Sequence, residues 1–301
     1  HDSLPGMARH LPRLFRTLRL LRSIEPDVIQ ITLPAPDYCL GSILACGLLN
    51  LPTVVRFGLV PPLEIAIHPW RVKAYQWVRS RNQQWVAISK NNQDLLSKRF
   101  EMPKSAVACI YNGANRNELA VLSDDCQQVL RQQVRQELGL PTTAQILITV
   151  GRLNFQKGHR DLIPAIPQIV RTCPEAYFIW VGEGDLRAEL EARIERYPEI
   201  ANRVLFLGYR SDVLRLLQSA DPFVFPTHVE GGQSFAIAEA MAAQLPIVTS
   251  DASGIPEVLT HQTHGLIFRV GDSEGLSAAV CWALKHPEQM QQMARDAQVR
   301  A

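Results

Sequence analysis

No stretch of this sequence is apolar for the roughly 20 residues that a membrane-spanning helix needs, and no secretory signal pattern occurs in it. Cysteine is sparse, with six in 301 residues, at 39, 46, 109, 126, 173 and 281. None forms a CxxC pair or stands near histidine at zinc-ligand spacing, which excludes the common structural zinc modules. Scattered thiols of this kind suit a reduced, cytoplasmic protein. An excess of one charge is also missing: 31 Lys and Arg against 29 Asp and Glu leave a net +2. The molecule as a whole therefore has no field to attract nucleic acid, and none is expected as a partner.

What is present is ordinary globular composition, 47% hydrophobic and 20% charged, in a chain long enough for two domains. One local imbalance stands out. Residues 9–22 carry Arg9, Arg13, Arg16, Arg19 and Arg22, with no acid before Glu25. Leu11, Leu14, Phe15, Leu18 and Leu21 recur there at helical spacing. The stripe predicts a helix packed on a sheet, and the arginines admit a peripheral membrane contact as the sharper alternative. His1 leads straight into a helical pattern and MARDAQVRA stops inside another, so the chain is expected to be a fragment cut at both ends.

Short β-branched runs alternate with amphipathic segments, the pattern of parallel βαβ units. Strands are expected at 27–32, 52–57, 83–89 and 106–111, with helices near 9–24, 37–48, 65–81 and 91–99. A second series follows at 145–151, 176–182, 203–208, 222–226, 246–250 and 265–270. Between the two series lies a polar, strandless stretch that opens with the turn dipeptide Asn112-Gly113. The expected organisation is two Rossmann-like domains with parallel sheets facing across a cleft: residues 1–113, a connection with a surface helix over 114–143, and residues 144–301. In DLIPAIPQIV, Asp161 as N-cap would put Pro164 at a harmless third helical position and a kink at Pro167.

Open parallel sheets bind ligands beyond the carboxyl ends of their strands, and four stretches fall there. In VGRLNFQKGHRDL, a strand ends at Gly151, and Arg152 and Lys157 occupy the loop before a helix. Two cations beside a helix N-terminus suit a diphosphate, although the same charges serve equally as a solvated surface loop. In VGEGDLRAEL, Gly182, Glu183 and Gly184 make a turn or a close backbone approach to a ligand. In FLGYRSDV, Tyr209 and Arg210 follow a strand, and Ser211 or Asp212 caps the next helix. In VEGGQSFAIAEAMAA, Glu230, Gly231 and Gly232 connect a strand to a helix, with Gln233 and Ser234 at its start. Ser234, or the backbone around it, is expected to cap that helix and to aim free N–H groups into the cleft, where they suit phosphate or sugar oxygens. Glu239 leans back toward the loop, where a carboxylate can accept two hydrogen bonds from a vicinal diol. Complementing the helix dipole is the plainer role for such an acid, but AIAEAMAA is apolar all round, and a lone acid on a buried helix needs a partner.

Taken together, the four stretches resemble the retaining glycosyltransferases of family 4, which have the two-domain GT-B fold. The similarity is strongest from Gln145 to Arg269. It implies that Arg152 and Lys157 grip the diphosphate of a nucleotide sugar, that the Gly182–Glu183 loop lies beside the nucleotide, and that backbone around Tyr209 and Arg210 reads the base. It further implies that Glu230 contacts the donor sugar and Glu239 the ribose. In the first domain, PDVIQIT, TVVRFG, VAIS and IYNGAN resemble the family's successive strands and its hinge.

Three departures accompany the resemblance. Eight residues separate the two glutamates, where the family usually has seven. The position of a frequent family histidine reads Arg56-Phe57-Gly58. The family's first strand and glycine-rich loop are not found, which leaves the first domain incomplete. The implied activity is hexose transfer from a nucleoside-diphosphate sugar to a glycan or lipid-linked acceptor, with retention. No D-x-D triplet occurs, so no metal or other cofactor is expected, Arg152, Lys157 and Glu230 being the catalytic set. Same-face attack within an ion pair is favoured, because no nucleophile for a double displacement stands out. A non-catalytic nucleotide-sugar-binding scaffold and a GT-B epimerase are the rival readings. The expected location is the cytoplasm, including the inner face of its membrane.

Overall fold

The computed structural model describes residues 10–36, 38–113, 122–232 and 234–300. The chain divides at Asn112/Gly113 into two compact units, each with its own parallel sheet.

The first unit places strands β1 (Ile29–Leu33), β2 (Thr53–Phe57), β3 (Gln83–Ala87) and β4 (Val107–Cys109) side by side in sequence order, all parallel. Helices α1 (Leu11–Ile24), α2 (Leu40–Leu48), α3 (Pro69–Arg79) and α4 (Lys90–Arg99) accompany them. Trp85 centres an aromatic core: Phe57 and Phe100 lie 5.0 and 5.4 Å from it, and Tyr75 5.7 Å. Local chemistry starts the connecting helices. Ser89, for example, accepts the N–H of Asn92 at 3.0 Å and caps α4.

Helix α1 packs on α2, with Thr17 and Ser42 hydroxyls 3.2 Å apart, and not on the sheet face. None of its residues is fully buried. The predicted apolar stripe therefore splits. Leu14, Leu18 and Leu21 are half-buried, whereas Leu11 and Phe15 are exposed with Leu20 and Ile24.

In the second unit, strands β5 (Gln145–Val150), β6 (Ala176–Val181), β7 (Val204–Gly208), β8 (Phe223–Phe225), β9 (Ile247–Ser250) and β10 (Leu266–Phe268) form one sheet in the order β10-β9-β8-β5-β6-β7. All pairings are parallel. This is the doubly wound order, in which the chain runs outward from β5 to one edge, returns to β8 and runs to the other. Connections over both faces demand strands apolar on both sides, and the four central residues of β5 are all buried. One face packs Leu162, Ile166, Trp180 and Leu276, and the other Ile148, Phe223, Phe225 and Met241.

Helix α5 (Asp124–Glu137), which sequence reading placed within a connection, is fastened to this second sheet. Buried Arg135 donates to the carbonyls of Ala144 and Ser219 and pairs with Asp221 at 2.8 Å, while Asp221 also accepts the N–H of Ile146.

The helix after β5 begins earlier than predicted. Helix α6 (His159–Thr172) has Gly158 as its N-cap, not Asp161, and both Pro164 and Pro167 lie inside it. Gly158 adopts φ +68°, and a Cβ on it would fall 1.6 Å from the carbonyl oxygen of Pro226. Only glycine can turn the chain here, and that turn starts the helix ahead of the expected cap.

Candidate functional site

The crossover between β5 and β8 is the topological switch point of the second sheet, where connections leave in opposite directions and open a crevice at the strand ends. Two loops meet there. After β5 comes Gly151 to Gly158, with a short 3₁₀ turn at Phe155–Lys157. After β8 comes Pro226 to Ser234, leading into helix α9 (Phe235–Ala242).

Lys157 and Glu230, 73 residues apart in the chain, form an ion pair across this crossover. The pair is largely buried, with side chains 18% and 10% exposed. The Lys157 stem lies against Gly151, and its ammonium stands 4.9 Å from the centre of the Phe225 ring. The Thr227 hydroxyl is 3.0 Å from the Glu230 carboxylate, and Ser253 Oγ accepts the Glu230 N–H at 3.3 Å. Each partner satisfies the other's charge, which makes the pair tolerable at this burial.

Arg152 is not drawn into the cluster: its side chain is exposed and pairs with no described residue. Gly182, with φ +139°, brings its Cα so near Gly151 that a Cβ would sit 2.0 Å from the Gly151 carbonyl oxygen. The β5 and β6 loops thus close into a ladder, Gly151 N–H to Val181 O at 2.9 Å and Leu153 N–H to Glu183 O at 2.9 Å. The Glu183 carboxylate is engaged by Arg187 at 2.8 Å. Past β7, Tyr209 is 82% exposed. Arg210 is held by Asp212 at 2.7 Å and by Glu137 at 3.0 Å. Those hydrogen bonds raise its pKa above the ordinary guanidinium value and hold the side chain between two carboxylates. Asp212 occupies the N-cap position of helix α8 (Val213–Ser219) but makes no capping bond, because Arg210 claims its carboxylate.

Gly231 and Gly232 form the bend before α9, and Gln233 lies outside the described residues. Ser234 sits at the N-cap with extended backbone, yet its hydroxyl caps nothing. The Ser234 side chain thus leaves the first-turn N–H groups of α9 without its oxygen as acceptor. Glu239 is half-buried on this helix, and burial pushes its carboxyl pKa up. Among the described residues, nothing pairs with it. Glu239 is the acid that wants a partner, and Glu230 the one that has one.

Two residues escaped sequence reading. His159, the first residue of α6, is buried edge-on to Trp180 at 5.0 Å, with neither ring nitrogen bonded. His228, two residues before Glu230, lies with Nε2 2.6 Å from the Asp161 carboxylate. A histidine next to a lysine-glycine turn is a weak sign of the first. Nothing in the sequence signals the second.

Comparison with known proteins bears on the fold that carries this site. Residues 144–286, the whole span from β5 through the helix Ser273–Lys285, match the family Glycosyl transferases group 1. An uncharacterized glycosyltransferase of Methanocaldococcus jannaschii is 32% identical over 185 residues, 61% of this chain and 46% of that protein. A glycogen synthase of Mycobacterium tuberculosis is 35% identical over 156 residues, 51% of this chain and 37% of its own length. The chain thus spans less than half of either relative. An Escherichia coli UDP-Gal:alpha-D-GlcNAc-diphosphoundecaprenol alpha-1,3-galactosyltransferase is 24% identical over 91% of this chain and 70% of that protein. Among solved structures, Anabaena HepE in complex with UDP and glucose superimposes with a TM-score of 0.81 at 23% identity, covering 96% of this chain and 76% of that one. The fold is that of the GT-B glycosyltransferases.

Proposed function

We propose that this protein transfers a hexose from a nucleoside-diphosphate sugar to an acceptor hydroxyl, keeping the anomeric configuration. The observation that carries the proposal is the Lys157–Glu230 pair across the switch point of a doubly wound sheet. As the bond from the sugar to the diphosphate breaks, negative charge grows on the leaving group. Lys157, with the unpaired Arg152 turning inward and the amides leading into α9, would meet that charge more strongly in the transition state than before it. Glu230, released from Lys157 by the incoming phosphates, would accept hydroxyls of the donor sugar. Glu239 would accept the ribose diol, which supplies the partner it lacks. Attack on the same face within an ion pair is the proposed course, with the two cations and the helix amides holding the leaving group beside the sugar.

Fixed cations in this role make a metal dispensable. Turnover of UDP-glucose, GDP-mannose or ADP-glucose, followed as released nucleoside diphosphate, is expected for one donor and to survive excess chelator unchanged. Loss of turnover on chelation would overturn metal independence. Release of a free sugar isomer without an acceptor would favour an epimerase, and binding without turnover a scaffold.

The galactosyltransferase relative is named for a lipid-linked acceptor, and α1 offers a surface for approaching one. Arg13, Arg16, Arg19 and Arg22 accompany exposed Leu11, Phe15, Leu20 and Ile24. A cytoplasmic protein meeting the inner membrane face through this helix is the proposed setting. Sedimentation with phosphatidylglycerol vesicles should exceed that with neutral vesicles at low salt; equal sedimentation would dismiss the contact.

A further inference from the structure

The ion pair that marks the site must open if a diphosphate is to take Lys157, and something else must then keep the two loops in register. His228 is placed to do so. Its backbone N–H donates to the Gln156 carbonyl at 2.7 Å, and Thr227 Oγ1 lies 2.8 Å from the same oxygen. Its ring nitrogen Nε2 stands 2.6 Å from Oδ2 of Asp161, on the first turn of α6, in a close polar contact whose angle falls short of a hydrogen bond and which a small ring rotation would complete. Its ring lies against Phe155, with centroids 5.0 Å apart at 32°. The β8 loop is therefore tied to the residues on both sides of Lys157 through groups that a diphosphate bound by Lys157 does not need. Both side chains of the His228–Asp161 contact are less than a quarter exposed, so water reaches it only in part.

We infer that His228 is a positioning residue, holding the Glu230 loop against the start of α6 when Lys157 leaves Glu230 for the donor. The inference rests on the glycosyl-transfer reading and adds a residue to it. Its consequence is asymmetric. In the free protein the Lys157–Glu230 pair holds the loops as well, so losing His228 costs little stability. In the donor-loaded protein the His228–Asp161 contact is the side-chain tie that remains to α6, beside the backbone contacts at Gln156, and a displacement near 1 Å there costs about 10²-fold in rate.

The test uses the whole chain, with calorimetric binding of UDP, GDP and ADP, thermal melting, and steady-state kinetics on whichever of UDP-glucose, GDP-mannose and ADP-glucose the wild type consumes. His228→Phe keeps a ring against Phe155 and removes the nitrogen. It is expected to melt within a few degrees of wild type and to lose about 10- to 100-fold in kcat, with a smaller change in donor KM. His228→Gln, whose amide N–H can reach Asp161, is expected to recover most of that loss. Wild-type turnover in His228→Phe, or a Gln variant as defective as Phe, would overturn the inference. A wild-type protein that binds none of the three diphosphates would bring down the functional reading and this inference with it, before any variant is compared.

Discussion

Replacing Lys157 with methionine is expected to lower turnover by about two to three orders of magnitude while moving donor affinity far less. The expectation follows from where charge develops: the ammonium is worth most to the leaving diphosphate, and in the resting protein its attraction is already spent on Glu230. The same substitution has a separate cost in stability. It strands the Glu230 carboxylate, whose side chain is 10% exposed, and removing one partner of a buried pair typically costs about 3–5 kcal/mol. The two effects can be pulled apart. Lys157→Met combined with Glu230→Gln should regain most of the stability, measured by urea unfolding, and none of the turnover. Equal losses of affinity and turnover in the single variant would show that the lysine merely binds.

Acid should weaken the second unit through His159. Burial first, and the neighbouring Lys157 charge second, push its pKa down from 6.5 to about 4. The folded protein therefore keeps this imidazole neutral where the unfolded chain protonates it. Stability rises with pH wherever the unfolded state binds more protons, so this contribution is complete above about pH 6.5. It is lost as pH falls toward 4. At about 1.4 kcal/mol per pH unit the full difference is roughly 3 kcal/mol. His159→Leu should flatten that part of the profile, seen as a stability difference from wild type that shrinks between pH 7.5 and pH 4.5. Parallel profiles for the two proteins would show that the imidazole is solvated after all. The position matters for function as well, because His159 directly follows the Lys157–Gly158 turn.

Much of the fold was legible in the sequence. Each of the ten runs read as strands meets a strand, most trimmed by a residue or two, with β1 running one residue further to Leu33 and AVACIY reduced to Val107–Cys109. The loops carrying Arg152, Lys157 and Glu230, and the helix carrying Glu239, fall after the expected strands for the same reason: alternation of β-branched runs and amphipathic segments is a local signal, carried by neighbours in the chain. Errors arose where a distant contact overrode a local preference. Asp161 has the chemistry of an N-cap, but Gly158, pressed against the Pro226 carbonyl, starts α6 earlier. Leu11 and Phe15 have the spacing of a buried stripe, but α1 settles on α2 and leaves them outside.

What the sequence determined by itself was the set of parallel βα units and the chemical groups available at their strand ends. Which groups meet was decided only by the tertiary structure. Strand order sets β8 beside β5, which brings Lys157 to Glu230 and His228 to Asp161, and the packing of α5 beside the end of β7 sets Arg210 against Glu137. The physical reason is that periodicity registers which face of an element is apolar, whereas a pairing across some 70 residues depends on how layers stack. No local pattern encodes that stacking.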